Sequence, residues 1–397
     1  MLFRSHKQVL LSVVIATALS GAVIVDAAAQ SRSAERANRG GRQAAKPEVL
    51  FPEATRVEPE TKASSRLQGK LNKLFAAYNK DDFEQTRTLA DELLATETAN
   101  AYEKAVSAQL AAQAAYNSDD NAAAKAYLQQ AVQFNGLDNN GHLQSLLMLA
   151  QLQLQDEEYE AGLANLDKFF TESQSKRAED LIIKGQALYQ TERYAEAIPV
   201  LQQAIAASTE PKDQWNQLLM AAYSSNDQVA EAVAVARQIA ERNPDDKRAQ
   251  INLASMYMQA DQMDQAAAVM EKLRVAGQLT EEREYRQLYS IYANTENAEN
   301  KVIEVINEGL GKGVLKDDHQ VYLALAQSYY FTDRIPQAIE AWQKAAPLSP
   351  NGETYLNLAR VLHGEGRIPE AREAARQALA KGGLRKPEDA QKIINLK

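Results

Sequence analysis

Hydrophobic positions between Val321 and Ala380 follow one pattern twice, with an offset of 33 residues. The spacing i, i+3, i+4, i+7 predicts a helix with one apolar face. In the first copy that face carries Tyr322, Leu325, Ala326 and Tyr329, and a second stripe carries Ala338, Trp342 and Ala345. Asp333 and Arg334 separate the stripes, and Pro336 stands where a helix can begin without its N–H. The pattern therefore predicts two helices joined by a short turn.

The same unit recurs along most of the chain. One small residue stands near the start of each predicted second helix: Thr86, Ala124, Gly162, Ala197, Ala232, Ala266, Ala338 and Ala371. The steps between these residues are 33 to 38, except for a step of 72 between Ala266 and Ala338. That long step predicts one further, degenerate unit over 284–311. The chain should therefore hold eight to nine units.

This pattern resembles the tetratricopeptide repeat, a helix–turn–helix unit of about 34 residues. The resemblance implies an all-α, right-handed α-solenoid of about eight to nine repeats without strands. Stacked units bury a continuous core that one unit alone cannot form. We expect the solenoid over residues 67–382 and a C-terminal capping helix within 383–397, beginning at Pro387.

The N-terminus has the pattern of a signal peptide. Arg4 and Lys7 precede an apolar run over 9–25, and Ala27 and Ala29 suit a cleavage site. We expect residues 1–29 to be removed after Ala29 and the mature protein to be exported, which in a bacterial cell means the periplasm. The alternative is an uncleaved helix that anchors the protein in the inner membrane, because the run just reaches spanning length.

Residues 30–66 are predicted to be a flexible linker. They contain glycines, prolines and many charges, with little apolar periodicity. The first half is basic, so contact with an anionic lipid or glycan is one interpretation and a solvated leader is the other.

The composition argues against catalysis. The net charge is −9, which disfavours general nucleic-acid binding, and cysteine is absent. The four histidines lie far apart, and Gly309–Gly313 follows a predicted helix, so it reads as a helix stop and not as a phosphate loop. Acidic pairs such as Asp81–Asp82 and Asp119–Asp120 predict turns and helix caps, with weak calcium binding as the alternative. We expect no enzyme, no metal and no cofactor.

The resemblance also implies that the first helix of each repeat lines a concave face. Gln109 is among the residues on the helix sides turned away from the predicted core. Together these residues form an amide and aromatic surface with few charges. The residues predicted to bind a peptide there are Gln113, Tyr116, Gln151, Gln155, Gln186, Tyr189, Gln190, Gln217, Gln327, Tyr330 and Phe331. Glutamine pairs with a peptide backbone and tyrosine adds apolar area. The alternative is that glutamine is simply a good exposed helix residue.

A narrower resemblance concerns the end of the solenoid. The phrases Ile306–Leu310, Gly313–Leu315 and Ala380–Pro387 look like those of exported tetratricopeptide proteins associated with TonB-type energy-transduction systems. This resemblance implies a periplasmic adaptor whose partner is a protein or peptide, namely a component of a Ton complex. The alternative is a general chaperone or carrier of exported polypeptides.

Overall fold

A computed structural model describes residues 48–396, and every regular element in that range is an α-helix. The chain divides into two compact units, with the boundary between Asp227 and Gln228. The helices of unit 1 are α1 (Gln68–Tyr78), α2 (Phe83–Leu94), α3 (Ala101–Asn117), α4 (Asn121–Phe134), α5 (Asn139–Gln155), α6 (Tyr159–Ser173), α7 (Ala178–Gln190), α8 (Tyr194–Ala207) and α9 (Asp213–Ser225). Those of unit 2 are α10 (Val229–Arg242), α11 (Lys247–Gln259), α12 (Met263–Val275), α13 (Glu282–Ala293), α14 (Glu299–Gly311), α15 (His319–Phe331), α16 (Ile335–Leu348), α17 (Glu353–Gly364), α18 (Ile368–Lys381) and α19 (Pro387–Ile394).

Within each unit, helices that are consecutive in the chain pack against each other. In chain order, α1 to α18 alternate as first and second helices of successive repeats, which confirms the predicted all-α repeat architecture. The boundary between the units falls between α9 and α10, the first and second helices of one repeat.

The turn between the two helices of a repeat has one conformation throughout. The residue two positions before each second helix has a positive φ, between 56° and 72°: Asp81, Asp119, Glu157, Glu192, Asp227, Asp261, Asn297, Asp333 and Gly366. Aspartate and asparagine tolerate this left-handed conformation better than most residues, and glycine adopts it freely. The acidic turns that the sequence shows therefore have a backbone reason.

The small residues of the second helices confirm the predicted register. All eight are buried, and each is the fourth residue of its helix. At Gly162 even a Cβ atom would lie 2.7 Å from Leu154 Cγ, so the helices of that repeat approach too closely for a side chain. In the degenerate repeat the same position is Val302, buried in α14. Because Val302 is larger, a search for small residues at this position misses the ninth unit.

Acidic side chains at turns cap the following helices, as predicted. Asp82 accepts a hydrogen bond from the backbone N–H of Gln85, and Asp120 accepts one from Ala123. Asp246 and Asp318 cap α11 and α15 in the same way. Over residues 48–396 no group of three or more histidine or acidic side chains could hold a metal ion. The helix-stop interpretation also holds, because α14 ends at Gly311.

A polar network joins three helices of unit 2. The Arg274 guanidinium on α12 bonds Glu271 and Glu304 at 2.6 Å each and also contacts Glu308. The Tyr285 hydroxyl donates to Glu308 over 2.8 Å. These contacts link α12, α13 and α14 around the degenerate repeat, where the sequence pattern is weakest.

Part of the segment predicted to be a linker, residues 48–56, packs against unit 1. Residues 48–64, which we call the strap, lie along the loops and helix ends of unit 1 instead of standing free in solvent. Phe51 is only 4% exposed, and the Thr55 N–H donates to the Glu172 carbonyl oxygen over 2.8 Å. Buried apolar area and satisfied backbone groups offset the entropy lost by ordering this segment.

The predicted signal peptide, its cleavage site and residues 30–47 of the linker lie outside the described residues. Across residues 48–396, none of the helices has the length and apolar character needed to cross a membrane.

Candidate functional site

The predicted peptide-binding residues of unit 1 lie on four first helices. Gln113 and Tyr116 are on α3, Gln151 and Gln155 on α5, Gln186, Tyr189 and Gln190 on α7, and Gln217 on α9. Gln155 and Gln190 are exposed, while the other six are partly buried. The structure brings together neighbours on one helix, but these residues make no shared polar contact across helices, so their assignment to one binding face stays a prediction.

Three of the predicted tyrosines occupy one repeat position. The carbonyl oxygens of Tyr116, Tyr189 and Tyr330 each accept a hydrogen bond from the N–H of the left-handed turn residue three positions later, at 3.0–3.1 Å. Tyr78 occupies the same position in the first repeat. These four tyrosines therefore stand at or next to the ends of their first helices, beside the turn.

The most exposed aromatic group is in unit 2. Tyr330 and Phe331 end α15 and are 44% and 72% exposed. Their rings meet edge to face at 5.7 Å, and the Tyr330 ring also meets Trp342 of α16 at 5.6 Å. Trp342 is buried and packs against the Tyr330 ring, whereas the Phe331 ring is exposed to solvent. Gln327 lies one turn earlier on α15 and is exposed.

Two first helices carry no formal charge. Neither α5 nor α15 contains an aspartate, glutamate, lysine or arginine, although charged residues make up 24% of the whole chain. An uncharged helix with exposed glutamine and tyrosine can approach a peptide without desolvating ions.

Gln109 does not belong to that surface. Its side chain is buried, and the Nε2 atom donates to the Gly141 carbonyl oxygen at 3.1 Å and to Ser145 Oγ at 3.2 Å. It therefore joins α3 to α5 inside unit 1. The helical spacing could not separate this residue from exposed glutamines one turn later on the same helix.

Sequence reasoning missed a polar cavity beneath the strap. Arg56 of the strap, His142 of α5 and Asn165, Lys168 and Glu172 of α6 line it. His142 is 1% exposed, its Nε2 lies 3.3 Å from Glu172 Oε2, and its Nδ1 has no protein partner. Burial lowers the pKa of His142 to about 3, and the positive charges of Arg56 and Lys168 act in the same direction. The ring is therefore neutral at pH 7.

Comparison with known families gives three matches along the chain. A tetratricopeptide repeat-like domain matches residues 56–221, and tetratricopeptide repeats match residues 223–290 and 323–388. The protein is a tetratricopeptide-repeat protein. Such repeats are interaction scaffolds, and no enzyme family matches. A comparison with curated protein sequences found no match.

Several solved tetratricopeptide-repeat structures are similar to this chain at low identity. A tetratricopeptide repeat protein from Parabacteroides merdae is 13% identical, with 64% of this chain and 99% of that chain covered and a TM-score of 0.39. The C-terminal part of a repeat-containing protein from Cytophaga hutchinsonii is 12% identical, with 71% and 96% covered and a TM-score of 0.40. MamA from Desulfovibrio magneticus is 19% identical, with 43% and 93% covered and a TM-score of 0.38. Each likeness is too distant to indicate a partner.

Proposed function

We propose that this tetratricopeptide-repeat protein is a non-catalytic adaptor that holds an extended segment of a partner protein on its first-helix surface. The observation that carries the proposal is the exposed pair Tyr330–Phe331 at the end of the uncharged helix α15. Aromatic residues that stand exposed on a rigid helix, with a buried neighbour below, have the character of interface anchors. Gln327 adds an amide that can pair with a peptide backbone.

We further propose that the adaptor works in the periplasm, in support of a TonB-type energy-transduction complex. The N-terminal pattern of two basic residues, an apolar run and Ala27–Ala29 supports export. The similarity of the C-terminal phrases to exported Ton-associated proteins supports the partner. A general chaperone or carrier of exported polypeptides is the competing function, and it would use the same surface without a fixed partner.

A crosslinked pull-down from envelope extracts separates the two functions. We expect one partner in stoichiometric amount with the wild-type protein and its loss with Tyr330→Ala/Phe331→Ala. The matched control is Gln337→Ala, which changes an exposed residue of α16 outside the aromatic pair. Recovery of many unrelated outer-membrane polypeptides would instead support the chaperone.

A deletion strain tests the Ton assignment. Growth on a substrate that needs active uptake through an outer-membrane receptor should fall in the deletion and return with the wild-type gene. Normal growth of the deletion strain would remove the Ton assignment. Full rescue by a stably folded Tyr330→Ala/Phe331→Ala variant would show that these residues do not carry the contact.

A further inference from the structure

The strap is held by a socket for one aromatic side chain. Phe51 packs against the buried residues Leu143 and Leu146 of α5 and meets Phe169 of α6 edge to face, with ring centroids 5.5 Å apart. Arg177 covers the other side, 5.8 Å from the ring centroid. The socket is therefore formed by residues outside the strap, and the Phe51 ring fills it while Leu50 and Ala54 pack beside it.

The Asn140 side chain of α5 hydrogen-bonds the strap backbone next to the Phe51 ring. The Leu50 N–H donates to Asn140 Oδ1 at 3.0 Å, and Asn140 Nδ2 donates to the Glu48 carbonyl oxygen at 2.7 Å. The Thr55 N–H donates to the Glu172 carbonyl oxygen on α6. An amide that pairs with both a donor and an acceptor of a peptide backbone is a common element of peptide recognition.

Five residues after Phe51, Arg56 of the strap donates hydrogen bonds to a group of uncharged oxygen atoms. Arg56 donates to Asn135 Oδ1 at 2.7 and 2.9 Å, to Asn139 Oδ1 at 2.8 Å and to the Leu137 carbonyl oxygen at 3.1 Å. These acceptors surround the planar guanidinium from the loop between α4 and α5. The planar fork of arginine suits this arrangement, whereas a lysine ammonium would not reach all of it.

The bound part of the strap, residues 48–56, is followed by a mostly exposed connecting segment. Residues 57–61 are mostly exposed, and Val57 is 89% exposed. The chain is fixed again at Ser64, whose N–H and hydroxyl donate to Glu103 Oε1 at 2.7 and 2.6 Å. Residues 48–56 can therefore leave their site without disturbing the anchor at α3.

We propose that residues 48–56 are an exchangeable arm, and that the site on α5 and α6 which holds them also takes the arm of a second copy of this chain. The site recognises three features together: an aromatic ring, the backbone N–H and carbonyl groups just before it, and an arginine five positions later. Among the residues that the structure describes, this segment itself fits all three features, and a second copy supplies the same segment. Exchange of identical elements is a low-cost route to a dimer.

The arm in cis competes with any arm in trans. A short tether gives the cis arm an effective concentration on the order of millimolar, so wild-type protein should bind a free arm weakly. A chain whose own arm is defective should have a vacant site. This difference makes the site measurable separately from the adaptor contact proposed above, which is centred on Tyr330 and Phe331 of α15.

The first experiment measures fluorescence anisotropy of a labelled peptide that spans residues 48–58. The full chain with Phe51→Ala/Arg56→Ala should bind it at least about tenfold more tightly than wild type, because the vacant site no longer has a cis competitor. The matched control is the full chain with Val57→Ala, which should bind like wild type. Circular dichroism establishes that each variant is folded.

Two outcomes would overturn the site. One is a folded double variant that binds the peptide no more tightly than wild type. The other is a labelled peptide with Phe51→Ala that binds as well as the unchanged peptide, because the socket would then have no role.

The second experiment tests the second copy as the occupant. The Phe51→Ala/Arg56→Ala chain has an intact site and a defective arm, whereas an Asn140→Ala chain has an intact arm and a weakened site. Light scattering after size exclusion should show a 1:1 complex when the two are mixed, and monomers when each is alone. If the vacant site binds the peptide but the mixture stays monomeric, the assignment to a second copy is wrong.

Discussion

The ring of Phe51 meets the ring of Phe169 edge to face, and the two residues are 118 positions apart in the chain. This contact fixes the strap to the second helix of the third repeat in unit 1. Edge-to-face pairs add a contribution beyond the burial of their area. The segment that composition marked as a linker is therefore part of the folded structure from residue 48 onward.

Removal of the Phe51 ring should destabilise unit 1. Phe51→Ala empties a socket lined by Leu143, Leu146 and Phe169, so we expect a loss of about 3 kcal/mol in the free energy of unfolding. Urea unfolding followed by circular dichroism measures it. Val57→Ala in the same strap should change stability by about 0.5 kcal/mol or less. Equal effects of the two changes would contradict the packing of the strap.

Large residues at the small buried position of a second helix should be poorly tolerated. Ala338→Leu or Ala371→Leu forces two packed helices apart and should cost about 1–3 kcal/mol. Glu340→Ala, on the exposed side of α16, should cost about 0.5 kcal/mol or less. Thermal and urea unfolding compare the two classes. Similar losses in both would mean that the repeat register is misassigned.

The residue in the left-handed turn conformation should tolerate glycine but not a β-branched side chain. Asp333 has a φ of 57°, which a β-branched residue adopts only with strain, so Asp333→Val should cost about 1–2 kcal/mol. Asp333→Gly should be nearly neutral, because glycine adopts this conformation freely and the equivalent residue of the last repeat is Gly366. Urea unfolding of both variants tests the turn. A glycine variant as unstable as the valine variant would point to a role for the aspartate side chain instead.

His142 should make unit 1 less stable as the pH falls below about 6.5. The unfolded chain takes up a proton near the ordinary pKa of 6.5, whereas the folded protein does not until a pKa of about 3. Stability from this group is therefore fully present above pH 6.5 and declines by about 1.4 kcal/mol per pH unit between those values. The groups that face the ring are Arg56, Lys168 and Glu172.

The matched variant for this prediction is His142→Gln, which fills similar space without titrating. Urea unfolding at pH 7 and pH 5 should show a larger loss in wild type than in the variant, by about 1–2 kcal/mol. NMR should show no titration of the His142 ring between pH 5 and pH 8. Titration near pH 6.5 in the folded protein would contradict burial of the ring.

Binding at the first-helix surface should depend only weakly on salt. The helix α15, which carries Tyr330 and Phe331, has no charged residue, so the contact has little long-range electrostatic attraction for salt to screen. The affinity of the partner identified by crosslinking should therefore change little between about 50 and 500 mM salt. A strong decrease with salt would place the contact on a charged surface of the protein instead.

The sequence by itself determined the repeat architecture and its register. The small buried position, the apolar stripes and the acidic turn residues are requirements within one repeat, so each leaves a periodic trace along the chain. Even the degenerate repeat was located, from a step of 72 residues, although Val302 in place of a small residue hid its second helix. The exposed aromatic ring of Phe331 also followed from its place on the helix.

Only the tertiary structure decided which polar residues are internal and where the N-terminal segment lies. Gln109 repeats the spacing of exposed glutamines, but Gly141 and Ser145 of the next repeat bury it. Phe51 ends a short apolar run, Val49–Phe51, without helical periodicity, and its socket is formed by residues about 90 to 120 positions later. Contacts over such distances in the chain depend on how repeats stack, and they leave no periodic pattern in the segment that makes them.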